Sequence, residues 1–106
     1  ENIVLKSNTL NVVYKWISLN SIGHPELNMV VLNTFTRPVI QANFVATTTD
    51  ANNQEETQSL MMRNIKFNPN QYSIVITMTL KQENAPIKYD AAPDEVKFDN
   101  GSILKL

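Results

Sequence analysis

Alternation of apolar and polar side chains is the dominant signal along this chain, and it is clearest over residues 72–80. There the even positions are Tyr72, Ile74, Ile76, Met78 and Leu80, and the odd ones are Ser73, Val75, Thr77 and Thr79. A period of two, with one apolar and one mostly polar face, predicts an antiparallel strand laid over a core. Asn68-Pro69-Asn70-Gln71 comes just before it, a turn sequence in which proline presets φ and asparagine tolerates positive φ. Ile65 and Phe67 share a parity within residues 60–67, so the two segments read as a hairpin.

The same period marks other strands. In residues 10–19 the positions Leu10, Val12, Tyr14 and Trp16 share a face, which predicts that both aromatics are core. In 27–35 the shared face carries Leu27, Met29, Val31 and Phe35, and in 39–48 it carries Ile40, Ala42, Phe44 and Ala46. A short strand is expected at 3–5 and another at 87–89, the latter flanked by Pro86 and Pro93. Turn residues fill the gaps at 20–25 and at Arg37-Pro38, and Pro38, lacking a donor, belongs at a strand start or an edge. A closing hairpin turns at Asn100-Gly101. A three-residue loop with Gly101 left-handed pairs Val96 with Leu104 and puts Leu106 on the same face, burying more consistently than a two-residue loop. Residues 50–59 are polar, with no apolar stripe to hold a helix that Asp50 could cap, and read as a mobile loop. Together these features predict one domain over residues 1–106: an all-β, immunoglobulin-like antiparallel β-sandwich of about seven to eight strands.

Composition narrows the chemistry. The 106 residues are 42% hydrophobic, enough for a core without staples, and they include no Cys, which removes disulfides and thiolate sites. Nine basic against ten acidic side chains argue against a nucleic-acid partner held by phosphate attraction. No stretch is long and apolar enough to span a membrane as a helix, and no charged-then-apolar signal segment opens the chain. Its start at Glu1-Asn2 is that expected of an excised domain. His24, the one imidazole, lies between Gly23 and Pro25 and reads as an exposed turn residue, so no metal site is expected. The two glycines stand far apart, no serine sits in a nucleophile elbow, and the carboxylate pairs Glu55-Glu56 and Asp94-Glu95 lie in polar segments. The expectation is a non-enzymatic protein with no catalytic residue and no cofactor. Trp16 beside Tyr14 could also form a sugar-stacking platform, although their shared parity with Leu10 and Val12 favours core. The Met61-Met62 pair offers flexible apolar surface, and Arg63, Lys66, Lys88 and Lys97 could form a modest basic patch.

The order of these segments resembles one family. Residues 3–12, Ile-Val-Leu-Lys-Ser-Asn-Thr-Leu-Asn-Val, are similar to the opening strand and turn of clathrin-adaptor ear domains. Asn43-Phe44-Val45-Ala46 resembles the Asp-Phe-Val-Phe strand of the gamma-adaptin ear and of the GGA ears, and residues 97–102 resemble that family's late hairpin. The resemblance implies a cytoplasmic module, peripheral to Golgi and endosomal membranes through the rest of its protein. Such a module docks short accessory-protein motifs that combine an apolar residue, glycine and an acidic neighbour. It also implies a peptide site at Thr47, Thr48 and Thr49 with Arg63, Lys88 and Lys97. Where the family carries alternating basic residues before the last hairpin, this chain reads Ala92-Pro93-Asp94-Glu95-Val96-Lys97, largely acidic. The alternative is a secreted or periplasmic immunoglobulin-like module for adhesion or assembly.

Overall fold

The structure, a computed structural model, describes residues 5–106. Apart from Leu5, the strand expected at 3–5 therefore lies outside the described residues. Seven strands follow: β1 (Leu10–Leu19), β2 (Pro25–Asn33), β3 (Val39–Thr49), β4 (Glu55–Met62), β5 (Ile76–Thr79), β6 (Lys88–Phe98) and β7 (Ile103–Lys105). They form two antiparallel sheets in the order β1-β2-β5 and β4-β3-β6-β7. The chain changes sheet between β2 and β3, between β4 and β5, and again between β5 and β6. This is the immunoglobulin-like sandwich that the alternation predicts.

The inner faces meet in one apolar cluster. Leu27, Met29 and Val31 of β2 and Ile76 and Met78 of β5 face Ala42, Phe44 and Ala46 of β3 and Ala91 and Val96 of β6. Phe35 closes one end by meeting the Phe98 ring edge-on at 4.9 Å between centroids. Asn33, fully buried among these groups, donates to the carbonyls of Phe67 (2.7 Å) and Arg37 (3.2 Å) and accepts from the Phe35 amide (2.8 Å). It thereby satisfies three backbone groups where the chain passes between sheets.

Gly101, at φ 86°, sets the last hairpin: Val96 pairs with Leu104 across the loop of Asp99, Asn100 and Gly101. Gly23 also takes positive φ, and asparagine takes the remaining such positions among the described residues, at Asn8, Asn53, Asn64 and Asn70.

Five expectations are corrected. Val13 is an extra residue in β1, a bulge between the pairs of Val12 with Val31 and Tyr14 with Val30. The bulge switches the parity, so Ile17 packs on the core while Tyr14 and Trp16 face outward, 59% and 39% exposed. Residues 50–59 are not a mobile loop. Asp50 accepts from the amides of Asn52 and Gln54 in a tight turn, and β4 begins at Glu55. Its missing apolar stripe reflects an edge position, where Glu55, Glu56 and Thr57 are exposed. Residues 60–67 and 72–80 do not form a hairpin, because β4 pairs with β3 and β5 pairs with β2. The strand read at 72–80 is regular only from Ile76. Ser73 uses its hydroxyl to accept the Val31 amide (2.9 Å) where a backbone carbonyl would serve, and Tyr72 and Ile74 are left exposed. His24 is half-buried and its Nε2 bonds the Leu80 carbonyl, anchoring the end of β5.

Candidate functional site

Because the chain leaves β4 for the other sheet, β4 and β5 are edge strands of different sheets on one side of the sandwich. Gln58 bridges them, donating to the Thr79 carbonyl (2.9 Å) and accepting the Lys81 amide (3.0 Å). Past this bridge the crossing segment spreads away. The turn at 68–71 is held by the Gln71 amide on the Asn68 carbonyl (3.1 Å), and it is fastened to β2 by the Asn70 amide on the Asn33 carbonyl (2.7 Å). Between this segment and the end of β4 lies an open cleft of about 240 Å³, lined by Met62, Ile65, Lys66, Phe67, Tyr72 and Ile74 with Gln71 and Ser73.

The walls are apolar and their tips reach solvent: Ile74 is 82% exposed and Tyr72 57%. Tyr72 and Ile74 thus leave two large apolar side chains side by side in solvent next to the cleft. Lys66 lines the cleft, Arg63 lies three residues before it, and no carboxylate lines it. Lys66 is the charged side chain among the lining residues, which suits an acidic group beside an apolar anchor.

On the opposite side, a groove of about 320 Å³ runs between β1 and β6, lined among others by Lys6, Leu10, Val12, Lys15, Asp90 and Leu106. Lys15 Nζ meets Asp90 Oδ1 at 2.8 Å and ties the two sheets together. The same oxygen accepts the Ala91 amide (2.9 Å). The Lys15 hydrogen bond, helped by that amide and by the lysine charge, holds the Asp90 carboxyl below its ordinary value against the opposing effect of burial.

The six residues implied by the resemblance fall into separate places. Thr49 and Lys88 are register partners at one end of the β3–β6 pair, and Thr47 pairs with Asp90 one step along the same outer face. Thr48, between them, points into the interior and is 2% exposed, which removes it from any surface site. Thr47 lines a shallow hollow of about 190 Å³ with Val45, Ala92 and Asp90, and that acid gives the hollow the wrong sign for an acidic motif. Lys97 sits at the far end of β6, opposite Gln41 and Ile103. Nine residues of strand separate it from Lys88, roughly 30 Å. Arg63 follows β4 at that far end, where Met62 pairs with Ala42. Of the six, Arg63 alone neighbours the apolar cleft. Tyr72 and Ile74 escape a sequence reading because their parity continues that of the buried Ile76 and Met78. The signal available was the exposed end of a crossover, a tertiary fact.

Among the described residues no group of three or more His, Asp or Glu side chains is placed to hold a metal ion. No protein-family model matches the chain, and neither a curated protein nor a solved structure does.

Proposed function

We propose that this chain is a non-enzymatic interaction domain that captures short, extended peptides, in the manner of the clathrin-adaptor ears it resembles. One observation carries the reading: an open apolar cleft, lined by Lys66 and by no acid, beside the end of the edge strand β4. An apolar side chain fills the space among Met62, Ile65, Tyr72 and Ile74, a neighbouring glycine lets its backbone approach the wall, and an acidic group meets the lysine or arginine. A shallow, solvent-open site of this size gives weak binding that depends on local concentration. On this reading the domain works in the cytoplasm, its contact with Golgi or endosomal membranes made through other parts of its protein.

The test is titration of the ¹⁵N-labelled chain with a blocked pentapeptide of sequence DFGEF, with the acids replaced by lysine as control. Amide signals of Arg63, Lys66, Tyr72 and Ile74 should move at millimolar DFGEF and stay with the control. Shifts confined to Thr47, Thr49 and Lys88 would move the site to the sheet face, and no shift at all would end the peptide reading.

A further inference from the structure

The three-stranded sheet turns a second chemically distinct face to solvent, on the side away from the core. The registers place Tyr14, Trp16 and Ser18 of β1 there, beside Val30, Asn28 and Glu26 of β2 and Thr77 and Thr79 of β5. Tyr14 and Trp16 stand two positions apart on one strand, roughly 7 Å between Cα atoms. Both are exposed, so they offer two adjacent aromatic surfaces along a single line.

The floor beside them is polar and fixed. Asn28 is buried, donating through Nδ2 to Ser18 Oγ (2.8 Å) and to the Trp16 carbonyl (3.4 Å) and accepting from Thr77 Oγ1 (2.8 Å). This carboxamide locks three strands together and decides what its neighbours have left. Ser18 accepts from Asn28 and keeps its own proton to donate, while Thr77 has given its proton and keeps its lone pairs. Glu26 accepts only a long bond from Thr79 (3.4 Å) and is free to take two hydroxyl protons. The row thus presents a donor, an acceptor and a carboxylate acceptor within reach of the rings.

We infer that this face is a binding site for a neutral oligosaccharide, with Tyr14 and Trp16 stacking on sugar rings and Ser18, Thr77 and Glu26 bonding their hydroxyls. A pyranose ring offers the matching pair of features, an apolar C–H face and a rim of groups that both donate and accept. Charge decides against the other ligand that stacks on aromatics. None of the residues that the registers place on this face is basic, and Glu26 repels phosphate, so single-stranded nucleic acid is excluded by the field it would meet. An apolar bilayer surface would strip the polar row of water without replacing its hydrogen bonds.

The intact chain is to be titrated with neutral cello-, malto-, manno- and laminari-hexaose, and in parallel with oligo(dT) and with anionic phospholipid vesicles. Trp16, the sole tryptophan, is the reporter. At least one hexaose should give a saturable change of its emission at millimolar sugar. Tyr14→Ala should weaken that binding by roughly tenfold, the loss of one stacking contact, and Ser18→Ala severalfold. On the unaltered chain the same sugar should shift the Trp16 indole N–H and the Thr77 amide. The proposal is overturned by the absence of any response to the four sugars, by a response to oligo(dT) or vesicles alone, or by sugar-induced shifts at Lys66 and Ile74 in place of Trp16 and Thr77.

Discussion

Lys15 belongs to an edge strand of one sheet and Asp90 to an inner strand of the other, yet Nζ and Oδ1 lie 2.8 Å apart across the open side of the sandwich. The β1 bulge makes this possible. By switching the parity after Val12, it turns Lys15 toward the opposite sheet, in register with the core residue Met29. The pair joins β1 and β6, which approach one another on this side, where β7 covers just the far part of β6.

Its contribution to stability has a defined pH dependence. The folded carboxyl of Asp90 titrates below the ordinary 3.8, so the native state holds this proton less tightly than the unfolded chain. The stabilisation is therefore complete above about pH 5 and is lost as pH falls through the lowered folded value. Both side chains are well exposed, which limits the pair to about 0.2–1 kcal/mol. Urea unfolding of the parent and of Asp90→Asn should differ by that amount at pH 6.5, and the gap should shrink steadily as pH falls below 3.8. A gap of constant size would show that the ion pair contributes nothing.

The inward lysine also protects an edge. A charged side chain directed toward the core side of an edge strand penalises pairing with a second molecule, because docking would strip its water. Lys15→Val removes that penalty from a strand already carrying the exposed Tyr14, Trp16 and Leu19. Sedimentation velocity should show concentration-dependent association of Lys15→Val beyond that of the parent, with Lys15→Arg behaving like the parent.

Asn33 answers for three backbone groups at once. Asn33→Ala leaves the Phe67 and Arg37 carbonyls and the Phe35 amide without this partner, at a cost of about 2–3 kcal/mol. Asn33→Asp is worse at neutral pH, since a buried carboxylate faces two carbonyl oxygens and has no proton to give. Protonation restores one donor, so the difference between the two variants should shrink as pH is lowered. Denaturant midpoints at pH 7 and pH 4 read this out.

Gly101 has open space around the position of a Cβ, and its φ of 86° is the constraint. Gly101→Ala should lower stability by about 1 kcal/mol through backbone strain alone, and Gly101→Asn by less, since asparagine accepts left-handed φ. Equal midpoints for glycine and alanine would mean that the loop has changed shape.

Fold class was legible because period-two alternation survives in the strands that cover the core. β2, β3 and the start and end of β1 could be drawn from the spacing of Leu27, Met29 and Val31, of Ala42, Phe44 and Ala46, and of Leu10. What stayed hidden had two causes. One is insertion: a single extra residue at Val13 inverts the meaning of every parity after it, and nothing in the local composition marks it. The other is position in the sheet: β4 reads as a loop because an edge strand needs no buried face, and its pairing with β3 is a property of the partner. The candidate cleft was hidden for a related reason. Tyr72 and Ile74 follow the pattern of core residues, but the register on β2 slips by one residue between the Met29–Ile76 and Leu32–Tyr72 pairs, which breaks that pattern before β5.

The order of strands within the sheets dictates an order of assembly. Each middle strand has one neighbour that is close in sequence and one that is remote: β2 meets β1 at once but must wait for β5, and β3 meets β4 at once but must wait for β6, with Val39 opposite Phe98. Hairpins β1–β2 and β3–β4 can form early and locally, each with half of its hydrogen-bonding edge still open. Closing loops of this length sets the pace, which places folding in the slow, millisecond-to-second regime of all-β topologies. Until residues 88–98 are in place, the long inner edge of β3 is the surface on which a chaperone, or a neighbouring chain, can compete with the native partner.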